Sequence, residues 1–309
     1  MGSSAARPPA PESVRVRGPW THRSVSANGI RLHVAERGDG PLVVLLHGFP
    51  EFWYAWRHQL VALAGRGYRA VAVDLRGYGD TDKPPRGYDL WTLAGDVAGL
   101  VPALGEDRAA VVGHGWGGVV AWTIAALHPR RVNALVALAA PHPLAIRRAV
   151  VREPRGQGRA LLAVAGFQLP RWPERLVRVG DGVERFMCRW AGPGWSVTDD
   201  FADAVARYRA AARIPGVAYC AMEYYRWAVR SQLRAEGRRF AVAVARPAEV
   251  PVLSLHGADD PWLLARTAMA PAPWAGERHA VEELAGVGHF PHEERPDLVS
   301  ARIADFLAR

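Results

Sequence analysis

Cysteine is scarce in this chain: Cys188 and Cys220 are the two among 309 residues. Two cysteines make neither a disulfide framework nor the paired spacing of a zinc site, so both are expected as small buried apolar residues and no metal is expected. Lysine is scarcer still, Lys83 standing alone beside abundant arginine that brings the formal charge to +9. The arginines are spread along the chain, with one cluster at Arg147, Arg148, Arg152, Arg155 and Arg159. No nucleic-acid-binding motif accompanies them, so the excess reads as solvated surface and no nucleic-acid partner is expected. No apolar run reaches membrane-spanning length, and MGSSAARPPAPESVRVRG lacks the apolar core of a secretory signal. Ala6 stands where a myristoylation motif requires Ser or Thr. A cytoplasmic protein without membrane contact is the expectation. The opening stretch is too rich in Pro, Ser and Arg to fold alone, and residues 1–20 are expected to form a flexible N-terminus.

The most informative absence is a side chain. In VVGHGWGGVV, Gly113 and Gly117 frame a Gly-x-x-x-Gly pattern whose centre ordinarily carries a nucleophile, and that centre is Gly115.

What is present is a chain that is 50% hydrophobic and long enough for one large α/β domain with an insertion. THRSVSANGIRLHVAERGDG reads as a hairpin about Asn28-Gly29. PLVVLLHG, RAVAVDLRG, RAAVVG and RVNALVALAAP are short apolar runs expected as strands buried on both faces. Helical segments separate them: Tyr54 to Ala64, DLWTLAGDVAGLVPAL, and WGGVVAWTIAALHP, which Pro129 ends. Such alternation predicts a mostly parallel, doubly wound sheet. It stops at Pro141-His142-Pro143, gives way to a helical, arginine-rich and aromatic stretch, and resumes with EVPVLSLHG, HAVEELAG and RPDLVSARIADFLA. The expected layout is a core over 21–142, a helical cap over 143–248 and a second core part over 249–309. Such a cap would cover the carboxyl ends of the strands, where open α/β sheets carry their sites.

Four loops follow expected strands. The glycines of Gly113 to Gly117 suit a sharp strand-to-helix turn. In His47-Gly48-Phe49-Pro50, the amide of Phe49 can join that of Trp116 in facing one oxygen, and such a fixed donor is worth about 3 kcal/mol to a developing charge. In Gly257-Ala258-Asp259-Asp260-Pro261, Asp260 is the expected partner for a histidine, with Asp259 as the fallback. In Gly286-Val287-Gly288-His289-Phe290-Pro291, His289 takes the place of the base in the chain order nucleophile, acid, histidine. His114, beside the elbow, is expected to pack behind it.

HGFPEFWYAWRHQL, DLRGYGDTDKP, VGHGWGG, FQLPRWPE, AMEYYRW, GADDPW and GVGHFPHEERP together resemble an epoxide hydrolase of the α/β-hydrolase fold, with haloalkane dehalogenases as near relatives. The resemblance runs from about Thr21 to Arg309, cap included. It implies a two-step hydrolysis in which an aspartate opens an epoxide to an ester and a histidine-activated water cleaves that ester, without metal or cofactor. By position it assigns His289 as the base, Asp260 as its orienting acid, Phe49 and Trp116 as oxyanion amides, and Tyr225, with Tyr224 second, as the hydroxyl that holds the epoxide oxygen. Two departures stand out: Gly115 replaces the aspartate, and LLAVAG before FQLP offers no second hydroxyl. An apolar pocket lined by Trp53, Trp116, Tyr224 and Tyr225 is expected to take a small apolar substrate, and a homodimer stays open. Three functions also stay open: a hydrolase in which His289 and Asp260 act without a covalent ester, a non-hydrolytic lyase, isomerase or cyclase or a ligand binder without catalysis, and an epoxide hydrolase whose aspartate was replaced.

Overall fold

A computed structural model describes residues 7–270 and 273–309; Ala6 lies outside the described residues. Eight strands form one sheet: β1 (Thr21–Ala27), β2 (Ile30–Arg37), β3 (Leu42–Leu46), β4 (Arg69–Val73), β5 (Ala109–His114), β6 (Val132–Leu138), β7 (Val252–Gly257) and β8 (His279–Leu284). Their order is β1-β2-β4-β3-β5-β6-β7-β8. The β1–β2 and β2–β4 pairs are antiparallel; every other pair is parallel. The hairpin turn is the expected one, with Asn28 at φ 47° and Gly29 at φ 76°, both left-handed, as a two-residue turn between twisted strands requires.

The central strands are buried on both faces: every residue of LVVLL in β3 and AAVVGH in β5 is buried, which explains their lack of polar alternation. α1 (Arg57–Ala64), α2 (Leu90–Ala103) and α3 (Trp116–Leu127) connect them. The Asp89 carboxylate caps α2 by accepting from the Thr92 amide. α3 begins at the mouth of β5 and is buried along nearly its whole length.

Between β6 and β7 the described chain is helical without a strand: α4 (Pro143–Arg152), α5 (Ala163–Gly166), α6 (Trp172–Arg178), α7 (Gly182–Trp190), α8 (Asp199–Ala212), α9 (Val217–Arg230) and α10 (Ala235–Ala243). Polar bonds tie this insertion to the sheet domain, among them Tyr54 to Asp203 at 2.8 Å and Tyr224 to the Arg76 carbonyl at 2.7 Å. After β7 come α11 (Ala265–Ala268), α12 (Pro291–Glu294) and α13 (Pro296–Leu307), and α13 packs on α1.

Two expectations are corrected. The stretch from Pro11 to Trp20 is docked rather than loose: Val14 is buried, its carbonyl accepts from the Trp53 indole at 2.9 Å, and Arg15 pairs with buried Asp80. Its few apolar residues find their cover on the sheet domain, which composition alone does not reveal. Cys188 is exposed, whereas Cys220 is buried and accepts from the Tyr88 hydroxyl at 2.9 Å. Among the described residues no helix is long and apolar enough to cross a membrane.

Candidate active site

The strand-to-helix turn between β5 and α3 is built by close backbone approach. A Cβ on Gly117 would collide with the carbonyls of Leu46 and His47, and one on Gly113 with the backbone of Gly117 and Gly118. Gly115 differs. Its backbone lies at φ 50°, ψ −115°, a region that L side chains rarely adopt. Yet a Cβ there would meet only His289 Nε2 at 3.6 Å and Gly48 Cα at 3.7 Å, which is ordinary contact. Space is not what keeps a side chain out of this position.

His289 sits in the loop between β8 and α12 and is held at three points. Its amide donates to the Trp190 carbonyl at 2.8 Å, its carbonyl is bonded by His114 Nε2 at 2.7 Å, and its Nδ1 meets Asp260 Oδ2 at 2.7 Å. The other carboxylate oxygen, Oδ1, accepts from the amides of Trp262 and Leu263 at 2.8 and 3.0 Å. Burial pushes the Asp260 carboxyl up, but the imidazoles of His289 and His256 and the Leu263 amide outweigh it and hold the group below the usual carboxylate range. With Nδ1–H committed to a carboxylate, Nε2 is the nitrogen left to accept a proton, and among the described residues it has no hydrogen-bond partner. Asp259 is exposed. Asp260, not the fallback, meets the histidine.

The amides of Phe49 and Trp116 likewise donate to no acceptor among the described residues. The turn carrying Phe49 is fixed by Glu51, whose Oε2 accepts from the Gly48 amide at 2.8 Å. Above it an aromatic group closes in. The Tyr225 ring on α9 lies 5.2 Å from Trp116, 5.6 Å from Phe49 and 4.9 Å from Phe167, all edge-on. Trp190 stands 5.8 Å from His289. Burial pushes the Tyr225 hydroxyl up, so it stays protonated and able to donate.

Of the expected lining residues, Trp53 lies elsewhere, and Tyr224 meets the site through its ring alone, 5.6 Å from Trp116. Adjacent residues on α9 point in different directions, so Tyr224 turns towards Tyr78 and Tyr88 and spends its hydroxyl on the Arg76 carbonyl. Trp53 faces Trp20, His22 and His33 and spends its indole N–H on Val14. Both stabilise the fold.

Sequence reasoning missed the buried charges behind the turn. His114 Nδ1 meets Glu51 Oε2 at 2.8 Å, and His292 Nε2 lies 3.4 Å from Glu51 Oε1. Burial opposes ionisation of both Glu51 and His114, yet each outweighs it for the other, leaving the carboxyl well below and the imidazole above its ordinary value. Burial drives His292 down to about 4, so it is neutral. Ligand atoms of Glu51, His114 and His292 lie within 4.8 Å of one another, but both His114 nitrogens are already bonded, so a metal here would have to break the support of His289. Next to them, burial raises Glu293 to about 7 despite Arg57. The signal available in the sequence was the polar residues inside HGFPE and GHFPHEE.

The arrangement is a carboxylate-oriented imidazole and two undirected amides around an unfilled position. The family profile described as alpha/beta hydrolase fold matches residues 41–296. The AB hydrolase superfamily protein YfhM of Bacillus subtilis is 34% identical over 289 residues, 92% of this chain and 96% of that protein. Epoxide hydrolase 3 of Xenopus tropicalis is 33% identical over 297 residues, 91% of this chain and 75% of that protein. The matches to Epoxide hydrolases 1, 2 and 3 of Siraitia grosvenorii are shorter, spanning 38% to 51% of those proteins' lengths. The solved epoxide hydrolase VrEH1 of Vigna radiata superposes with a TM-score of 0.75 at 31% identity, covering 94% of this chain and 98% of that one.

Proposed function

The chain belongs to the α/β-hydrolase fold family, and we propose that it is an epoxide-hydrolase-like enzyme that works on a small apolar substrate without a protein-bound ester. His289 is its general base, Asp260 its orienting acid, and Gly115 the vacated nucleophile position. A water held beside Gly115 gives a proton to His289 Nε2 as its oxygen bonds to an epoxide carbon. The carbon–oxygen bond of the ring breaks, and the released oxygen takes a proton from the Tyr225 hydroxyl. The imidazolium is steadied by Asp260, its proton passes through solvent to the Tyr225 phenolate, and the product is a diol. The amides of Phe49 and Trp116 steady the polar end of the substrate, while the rings of Phe49, Phe167, Trp190 and Tyr225 suit an apolar body.

One observation carries this reading: Nε2 of His289 lies 3.6 Å from the missing Cβ while Nδ1 is bound to Asp260 at 2.7 Å. A histidine so oriented is suited to general-base work, worth roughly 10²–10⁴-fold in rate. The test is His289→Ala assayed against aryl and alkyl epoxides. The reading expects diol formation to fall by about that factor; undiminished turnover overturns it, and binding of an epoxide with no diol from the unaltered chain favours a binder.

A further inference from the structure

We propose that the position vacated at Gly115 binds a small monocarboxylate anion, and that this anion supplies the attacking oxygen the chain itself lacks. The inference rests on the epoxide reading above and adds a second reactant to it.

The slot has the chemistry of a carboxylate site. It opens at the N-terminus of α3, a twelve-residue helix whose first amides carry partial positive charge. The Trp116 and Phe49 amides have no acceptor among the described residues. The side chain of His289 is only 4% exposed, yet its Nε2, aimed at the slot, is also unpartnered. Two amides without an acceptor thus border the unfilled position, and the bare Nε2 of His289 faces it. The nearby carboxylates are committed, Asp260 to His289 and Glu51 to His114 and the Gly48 amide. Size sets the class of anion. A free molecule must stand about 3.5–4 Å from the Gly115 Cα rather than at bonding distance, so the smallest carboxylates fit best. Formate suits the slot, and acetate is the larger limit.

The chemistry balances. A formate oxygen bonds to an epoxide carbon as the ring carbon–oxygen bond breaks, and the ring oxygen takes a proton from Tyr225, giving a hydroxyalkyl formate ester. Water, deprotonated by His289, then adds to the formyl carbon. The resulting oxyanion collapses and expels the alkoxide, which takes the proton from His289. Diol leaves, and the formic acid left behind passes its proton through solvent to the Tyr225 phenolate, so formate and the tyrosine are both regenerated and the net reaction is hydration of the epoxide. The oxygen that formate delivered stays in the diol.

The test uses the unaltered full chain, an aryl epoxide, ordinary water and formate labelled with oxygen-18 on both oxygens. The proposal expects a rate that rises saturably with formate and one labelled oxygen in each additional diol. Formate without epoxide is expected to shift the imidazole nitrogen resonances of His289 saturably. Gly115→Ala, which fills the slot, is expected to remove both effects, and the label readout does not depend on that variant folding. Unlabelled diol at a rate indifferent to formate, or no shift at His289, overturns this inference and leaves the water mechanism standing. Diol that forms only with formate and carries its label overturns the water mechanism instead. No diol with or without formate overturns both.

Discussion

Outside Gly115 and its two chain neighbours, His289 Nε2 is the described atom nearest to the point where a Cβ on Gly115 would sit, at 3.6 Å. The histidine therefore faces the open space beside the Gly115 Cα. Its Nδ1 is fixed by Asp260 and its carbonyl by His114, so its aim does not depend on what fills the gap.

Placing a carboxylate at Gly115 should be structurally tolerated. Gly115→Asp places a non-glycine residue at φ 50°, with a strain of about 1–3 kcal/mol, and brings no clash at Cβ. The expected outcome is a modest fall in melting temperature together with diol formation raised by about 10² or more. Calorimetry and an epoxide assay check the two halves, and mass spectrometry should find a covalent ester when His289→Gln is added.

Asp260→Asn keeps the shape of the site but presents an amide to His289 Nδ1, favouring the wrong tautomer. Turnover should fall by about 10³–10⁴ with little loss of stability. Asp259→Asn, at an exposed position, is the control and should leave turnover alone.

The two adjacent tyrosines of α9 should separate cleanly. Tyr225→Phe removes a donor facing the aromatic pocket, and turnover should fall by about 10²-fold or more with melting temperature unchanged. Tyr224→Phe breaks the bond to the Arg76 carbonyl and should lower stability by about 1 kcal/mol while sparing the chemistry. Activity and thermal melts on both variants decide it; the opposite pattern would exchange their roles.

Glu293 makes stability depend on pH. Burial raises its carboxyl from about 4.5 to about 7, so the folded state favours the protonated form. That contribution is fully present below about 4.5, declines as pH rises, and is lost above about 7. Glu293→Gln should therefore flatten the stability profile between those limits, as chemical denaturation at a series of pH values would show.

The strands and the helices of the sheet domain were legible because β3 and β4 are short apolar runs, β6 is broken by Asn133 alone, and Asn28-Gly29 and Pro129 punctuate the chain. The His289–Asp260 pair was legible because both residues end loops after strands of a recognisable order. Side-chain direction was not. Trp53 follows the Phe49 loop by four positions, yet its turn sends the ring to the opposite side, against Val14. Nor was the Glu51–His114–His292 group, whose members lie 63 or more residues apart along the chain and meet only after folding. Residues 11–20 were misjudged because their apolar content is small and its cover is remote in sequence.

The central claim is that a water beside Gly115, activated by His289, attacks the substrate directly. A single turnover of an aryl epoxide in oxygen-18 water and carboxylate-free buffer, with the protein in excess, tests it most directly. The account predicts one labelled oxygen in the first diol released and loss of that product in His289→Ala. An unlabelled first diol, its oxygen drawn from a protein carboxylate, would contradict it.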